Sequence, residues 1–581
     1  MKILFITTAH NSMSRRAYVE LTDIGHKVDV LLALRDEEMI QAVHKNKPDL
    51  IVAPMLKKAI PEEIWRNHIC MIVHPGIKGD RGPSSLDWAI LNGLDEWGVT
   101  LLQANKEMDA GDIWASINFK MRNTSKSNLY RHEATEAAMK ALLLAVKRFE
   151  QGDFIPEPLD YSKEDVKGNL HITMKQSHRS INWSESTEQI VRNIRCADSQ
   201  PGVLDRIAGE EYYLFGAHEE DRLKGEPGRI IACRDGAICR ATGDGAIWIT
   251  HLKRKGTENK TFFKVPASLE LGDKLDGIPE IPLAYDDSYQ GKTFREIWYE
   301  EKNQVGYLHF HFYNGAMSTD QCNRLRLAYL SALKRSTKVL VLMGGQDFWS
   351  NGIHLNVIEA SENPADESWK NINAMNDLIR EIITTESKLV ISSMQGNAGA
   401  GGVILALAAD FIYARKGVVV NPHYKGMGDL YGSEYWTYLL PRRVGATIAH
   451  ELTEKCISLG TSTALQIGLI DDAFGENTEE FCSEVSVLAE KLAHRCDYQQ
   501  LLEVKRLKRI KDEQIKPLEQ YRKEELVKMW ENFYSPDSLY HEARKRFVYK
   551  TCPTCSEVKV NHLSNPSMQT QQEEEIYQLQ V

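Results

Sequence analysis

Residues 389–410 carry the feature that most restricts the fold. An apolar run, Leu389-Val390-Ile391, enters Ser392-Ser393-Met394-Gln395-Gly396-Asn397-Ala398-Gly399-Ala400-Gly401-Gly402, and an Ala/Leu-rich run ending at Asp410 follows at once. That order spells a strand, a loop free of bulky side chains, and a helix. Glycine lets a ligand approach the main chain, and the N–H groups at a helix start carry partial positive charge suited to a developing oxyanion. An isolated turn of this kind serves equally well to pack a buried helix. A second one upstream favours a site: the apolar run 339–345 leads into Phe348-Trp349-Ser350-Asn351-Gly352-Ile353-His354-Leu355. Two such strand ends can aim two backbone N–H groups at one carbonyl oxygen.

At 581 residues the chain exceeds a single core, and length alone suggests two to four domains. The net charge of -10 argues against a general binder of nucleic acid or anionic membranes. No apolar run reaches membrane-spanning length, and the apolar N-terminus reads as a buried strand, not a signal peptide. The ten cysteines are scattered, which suits reduced thiols in a cytoplasmic protein. Only Cys552-Pro553-Thr554-Cys555 is closely paired, and with no second pair or nearby histidine no metal is assigned.

In the first part, apolar runs at 2–7, 27–32, 49–53 and 69–73 alternate with helical patterns near 14–24, 37–45 and 61–67. The rhythm predicts an α/β domain with a parallel, doubly wound sheet and ligands at the carboxyl ends of its strands. One strand ends in His74-Pro75-Gly76-Ile77-Lys78-Gly79-Asp80-Arg81-Gly82-Pro83, which places His74 for acid, base or electrophilic work. A further strand at 97–102 is followed by Met108-Asp109-Ala110-Gly111-Asp112, and Asp109 is a carboxylate able to orient that histidine.

The order strand–His–Pro/Gly loop–Arg-Gly–helix, then Gly-Val-Thr and Asp-x-Gly-Asp, resembles the folate-dependent formyltransferases of the methionyl-tRNA formyltransferase type. The resemblance runs to about residue 259. In its later part Ile181-Asn182-Trp183-Ser184, Gln200-Pro201-Gly202-Val203 and Ala241-Thr242-Gly243-Asp244-Gly245 are similar to that family's small carboxy-terminal β-barrel. It implies 10-formyltetrahydrofolate as cofactor, His74 and Asp109 as the catalytic pair, and Arg81 and Gly82 as the substrate loop. The family's catalytic Asn falls at Ile72, which cannot hydrogen-bond a formyl oxygen; Asn11, Ser84 and Ser85 are candidates to replace it.

Residues 279–295 are Pro/Asp-rich and suit a linker, and a new α/β rhythm starts at Val305. Tyr313-Asn314-Gly315-Ala316-Met317-Ser318 precedes a helix that Ser318 or Thr319 would cap. Together with the two glycine loops, this order resembles the enoyl-CoA hydratase/isomerase (crotonase) superfamily over about 298–493. The resemblance implies coenzyme A as cofactor and an oxyanion hole from the Ile353 and Gly401 amides, with Gly352 and Gly402 beside them. The two hydratase glutamates fall at Ile404 and His423, so water addition is not expected. The next stretch, Asn421 to Trp436, concentrates Tyr424, Tyr431, His423 and Glu434, which can handle a proton or can simply pack as an aromatic loop. Tyr424 and Glu434 lead as catalytic candidates, followed by Tyr431 and His423. Residues 505–528 read as a solvated helix face. The basic segment 540–548 reads as a surface helix or as a seat for a CoA nucleotide, and the polar tail from about 553 reads as disordered.

The expected division is 1–165, 166–278 (an OB-like β-barrel), linker 279–297, 298–493, helical extension 494–552 and tail 553–581. The fusion resembles, over nearly the full chain, the HypX family of nickel–iron hydrogenase maturation. That implies formyl transfer from 10-formyltetrahydrofolate to CoA, loss of carbon monoxide from formyl-CoA, and hydrogenase maturation proteins as partners. A formyl-CoA hydrolase, a formyltransferase with another acceptor, and a non-catalytic folate/CoA-binding scaffold are the alternatives.

Overall fold

The structure is a computed structural model that describes residues 1–33, 35–258 and 260–551. The Cys552/Cys555 pair and the tail therefore lie outside the described residues. The chain forms two compact units: Met1–Pro282 with Tyr289–Phe294, and Leu283–Ser288 with Arg295–Thr551.

In the first unit, β1 (Lys2–Thr7), β2 (Lys27–Leu32), β3 (Leu50–Ala53), β4 (Cys70–His74), β5 (Glu96–Gln103) and β6 (Ile113–Lys120) form one sheet in the order β2-β1-β3-β4-β5-β6. Buried on nearly every residue, β1 and β3 read as apolar runs and not as alternating strands. The first four strands are parallel, but β4–β5 and β5–β6 pair antiparallel, so the expected all-parallel sheet is corrected to a mixed one. A short connection explains the second reversal, since β5 and β6 are joined without the helix that a parallel crossover normally needs. The Glu133–Gln151 helix packs on this end of the sheet, burying Ala134, Ala137, Ala138, Ala141, Leu142 and Ala145 at helical spacing.

The same unit holds an antiparallel sheet of β7 (Val203–Ile207), β8 (Glu210–Glu220), β9 (Ile230–Arg234), β10 (Ala237–Ala241) and β11 (Ala246–Arg254), with β12 (Val265–Pro266) paired to β11. Its order is β7-β8-β11-β10-β9, and β7 and β9 make no ladder with each other among the described residues. The expected barrel is thus an open one.

In the second unit, β13 (Ile297–Lys302), β14 (Val305–Phe310), β15 (Val339–Gly344), β17 (Leu389–Met394), β19 (Phe411–Arg415) and β21 (Asp472–Phe474) make a large sheet, parallel except for β13. A small parallel sheet holds β16 (Phe348–Ser350), β18 (Asn397–Gly399) and β20 (Val420–Asn421). Each strand β15, β17 and β19 hands the chain on to a strand of the small sheet. β18 interrupts what the sequence shows as one glycine-rich loop, because a three-residue strand leaves no periodicity to read. Ser318 caps the Thr319–Leu333 helix through a capping box with Gln321.

The Thr478–Ala493 helix covers one face of the large sheet through Phe481, Val485 and Ala489. Leu518, Met529 and Phe533 of the Leu518–Tyr534 helix and Tyr540 of the Tyr540–Tyr549 helix join the other large core of the unit. Two expectations change here. The charged stretch 505–528 is not solvated throughout, since Glu525 is buried. The basic segment 540–548 is a packed helix that buries Tyr540, Arg544 and Val548 at every fourth residue, with Arg544 Nε held by Glu359 Oε2 at 2.7 Å.

Candidate functional site

In the first unit β4 delivers His74 at its carboxyl end, where the side chain is buried. Its Nε2 lies 2.8 Å from Asp80 Oδ2, a hydrogen bond when the proton is on that nitrogen. Gly76 is required beneath this pair, because a Cβ there would lie 2.4 Å from Asp80 Oδ2 and 2.5 Å from His74 Nε2. Asp109 Oδ1 stands 3.6 Å from Nδ1, within ion-pair reach only, and Asp109 Oδ2 accepts the Gly82 N–H at 3.2 Å. The orienting carboxylate is therefore Asp80, with Asp109 on the opposite edge of the ring.

On the far side of Asp80, His171 Nε2 lies 3.0 Å from Oδ1, close enough to pair but off the alignment of a hydrogen bond. His171 comes from a strap that runs along the 78–82 loop: Arg81 N–H donates to Asn169 O at 3.0 Å and His171 N–H to Arg81 O at 2.8 Å. The result is a row, Asp109–His74–Asp80–His171. Asp80 was visible in the sequence as an acid six residues after His74, whereas His171 gave no signal.

The other candidates of this unit have structural partners. Asn11 Oδ1 caps the Ser12–Asp23 helix by accepting from Ser14 N at 3.1 Å. Ser84 Oγ accepts from Met174 N at 3.2 Å, and Ser85 Oγ donates to Pro75 O at 2.8 Å. Arg81 reaches Met108 O at 3.3 Å and Glu107 at 3.2 Å. Ile72 packs against the apolar side of the sheet.

In the second unit the turns after β16 and β18 meet: a Cβ on Gly352 would lie 3.3 Å from Gly401 N. The Gly352 N–H already donates to Ser350 Oγ at 3.1 Å. The N–H groups of Ile353 and Gly401 donate to no protein acceptor among the described residues. Gly402 is packed on the backbone, since a Cβ would lie 2.1 Å from Ser350 O. Ile404 is fully buried in the core.

Glu434 lies against Gly401, where a Cβ would come 2.2 Å from its Oε1. Its Oε2 accepts from Tyr424 Oη at 2.9 Å and from Ser433 N at 3.0 Å. Burial pushes the Glu434 carboxyl up to about 7, against the Tyr424 and Ser433 hydrogen bonds and with Glu525 adding to the rise. Burial, with Glu434 next to it, also holds the Tyr424 phenol well above its ordinary range. Tyr431 packs its ring on Trp436 at 5.5 Å between centroids, and its N–H donates to Asn532 Oδ1 at 2.9 Å. His423 bends back on its own turn, with its N–H on Asn421 O at 2.9 Å. Geometry thus brings Ile353, Gly401, Tyr424 and Glu434 together and leaves Tyr431 and His423 at the edge. Asn376, whose Oδ1 accepts the Glu434 N–H at 2.7 Å, and Glu525 are the members that sequence reasoning missed. Both lie on helices with unremarkable local sequence.

The sequence matches three families: Formyl transferase over residues 1–146, Formyl transferase, C-terminal domain over 173–263, and Enoyl-CoA hydratase/isomerase over 312–556. It is 44% identical over 553 residues, 95% of each chain, to the Hydrogenase maturation factor HoxX of Bradyrhizobium diazoefficiens. A Methionyl-tRNA formyltransferase of Bacillus cytotoxicus is 27% identical over 259 residues, 43% of this chain and 81% of that one. Among solved structures, HypX from Aquifex aeolicus in complex with tetrahydrofolic acid superposes with a TM-score of 0.92 at 44% identity, covering 95% of this chain and 97% of that one.

Proposed function

The chain belongs to the HypX family of hydrogenase maturation factors, and on that premise we propose that it makes carbon monoxide in two steps, acting in the cytoplasm. The first unit transfers formyl from 10-formyltetrahydrofolate to the thiol of CoA; the second decarbonylates formyl-CoA. The carbon monoxide then serves the hydrogenase iron. The observation that carries this reading is the buried Glu434 carboxyl set against Gly401, where the turns of Gly352 and Gly401 meet, in a site where Ile404 is buried.

In the first step the S–C bond forms as the N–C bond of the formyl donor breaks, and the thiol proton ends on the folate nitrogen. His74, fixed by Asp80, is the group placed to carry that proton. The second step suits the other site. The Ile353 and Gly401 amides are an oxyanion hole for the thioester carbonyl. Glu434 takes the formyl hydrogen as a proton and returns it to sulfur. The C–H electron pair stays on carbon as the lone pair of carbon monoxide, and the C–S pair leaves with the thiolate. A carboxyl whose affinity for protons is balanced near pH 7 serves both transfers, with Tyr424 steadying its charged form. The buried Ile404 keeps water from diverting formyl-CoA to formate. Incubation with 10-formyltetrahydrofolate and CoA, followed by trapping with reduced haem protein, should yield the carbon monoxide adduct; formate as sole product would sink the reading.

A further inference from the structure

Glu525 belongs to the Leu518–Tyr534 helix, outside both sheets of its unit, yet it is buried against the loop that carries the second site. Its two oxygens accept from four donors: Tyr435 N at 2.9 Å and Ser433 Oγ at 3.2 Å on Oε2, Thr437 N at 2.9 Å and Thr437 Oγ1 at 2.5 Å on Oε1. Asn376 brackets the same hydroxyl: its Nδ2 donates to Ser433 Oγ at 2.9 Å, and its Oδ1, 3.1 Å away, is a second acceptor for the serine proton beside Glu525. The carboxyl sits at the start of the Trp436–Lys455 helix, where negative charge is favoured. Burial outweighs these donors and pushes the Glu525 carboxyl up to about 7.

Backbone conformation supplies a second observation. Glu434 and Tyr435 both adopt left-handed φ values, 64° and 62°. Two successive non-glycine residues hold that conformation only where their surroundings over-determine it. The surroundings are Asn376, which takes the Glu434 N–H, and Glu525, which takes the Tyr435 N–H. The other titratable or charged groups facing the two carboxyls are Tyr424 and Tyr431 of the same loop, Tyr435 beside them and Cys322 of the Thr319–Leu333 helix. Arg522, one turn before Glu525, is engaged by Asp377 Oδ1 at 2.7 Å and does not neutralise the pair.

We propose that Glu525 is a positioning residue of the second site: its carboxyl locks the left-handed turn that aims Glu434 at Gly401, and so couples the two carboxyls. This deepens the decarbonylation reading and rests on it for the rate, but not for the coupling between the two carboxyls. The helix bearing Glu525 is therefore part of the catalytic apparatus and not packing alone.

The test uses the full chain and reads Glu434 in two ways. One is the midpoint of its carboxyl titration, by carbon-13 NMR of glutamate-labelled protein, assigned by the signal's loss in Glu434→Gln. The other is the acid limb of the kcat–pH profile for carbon monoxide release from supplied formyl-CoA. In Glu525→Gln both should fall, because a neighbouring acid that raises the Glu434 carboxyl is gone. Glu525→Asp keeps the acid, so its midpoint should stay near the wild-type value while kcat drops as the turn loosens. If melting shows that Glu525→Gln does not fold, Thr437→Val, which strips one donor from Glu525, should shift the midpoint in the same direction by less. Wild-type midpoints in all folded variants overturn the proposal. A shifted midpoint in a protein that releases no carbon monoxide upholds the coupling and overturns the reaction.

Discussion

At the scale of single residues, the proposed decarbonylation rests on one carboxyl. Glu434→Gln should slow carbon monoxide release from formyl-CoA by about 10²–10⁴-fold, the range for a lost acid/base group. CoA affinity by calorimetry should barely change, because the amides of Ile353 and Gly401 remain. The same carboxyl ties stability to pH. Its folded value, about 7, lies above the ordinary 4.5, so the folded state binds the proton more tightly than the unfolded one. That contribution is fully present below about pH 4.5 and is lost as pH rises through about 7. The uncharged amide of Glu434→Gln escapes this loss, so its Tm relative to wild type should climb between pH 5 and pH 8.5; a constant difference would contradict the buried, proton-binding state. In the first unit, Asp80→Asn should cut formyl transfer about a hundredfold, because His74 loses the partner that fixes its ring. His74 and Asp109 stood out in the sequence as polar residues in turns after apolar runs, and Tyr424 and Glu434 as part of one Gly-broken polar and aromatic stretch. Asp80 lay in the same turn as His74, but its role shows only when the loop folds back. Glu525 could not be read at all: it sits 92 residues from Ser433, in a run of charges that looks like any solvated helix face.

At the scale of elements, the apolar runs and glycine turns located the strands well, because buried parallel strands cannot hide their composition. What they could not reveal was direction at the sheet's end, where β5 and β6 run antiparallel, or strands as short as β16 and β18. The active loop itself depends on a tight approach. Gly432, at φ +88°, lies so near the Tyr424 ring that a Cβ would come within 2.2 Å of it. Gly432→Ala should therefore cost about 1–3 kcal/mol in chemical denaturation and displace Tyr424 from Glu434. The last described helix, Tyr540–Tyr549, is fastened by charge. Side-chain exposures are only 1% for Arg544 and 8% for Glu359. Arg544→Ala should destabilise the second unit by about 3–5 kcal/mol by stranding Glu359, and the apolar pair Arg544→Met with Glu359→Met should recover most of it.

At the scale of the whole molecule, the two sites should be separable by what each variant is given. His74→Ala should abolish carbon monoxide production from 10-formyltetrahydrofolate and CoA yet leave release from supplied formyl-CoA intact. Glu434→Gln should lose carbon monoxide release from either supply but keep formyl transfer, and so accumulate formyl-CoA, detectable by mass spectrometry. Loss of both activities in both variants would refute the division of labour. The α/β class of each half was legible because two strand–helix rhythms carry different glycine fingerprints, whereas the residues that complete each site come from segments outside those rhythms: His171 from the strap and Glu525 from the late helix. That placement also fixes an order in time. A ribosome adding ~5–20 residues per second finishes the first site with His171 and needs roughly another 20–70 s to reach Glu525. During that interval a nascent chain completes the first unit, which runs to Phe294, while the second still lacks Glu525, so under the proposed function translation itself supplies the formyl-transfer half before the decarbonylating one.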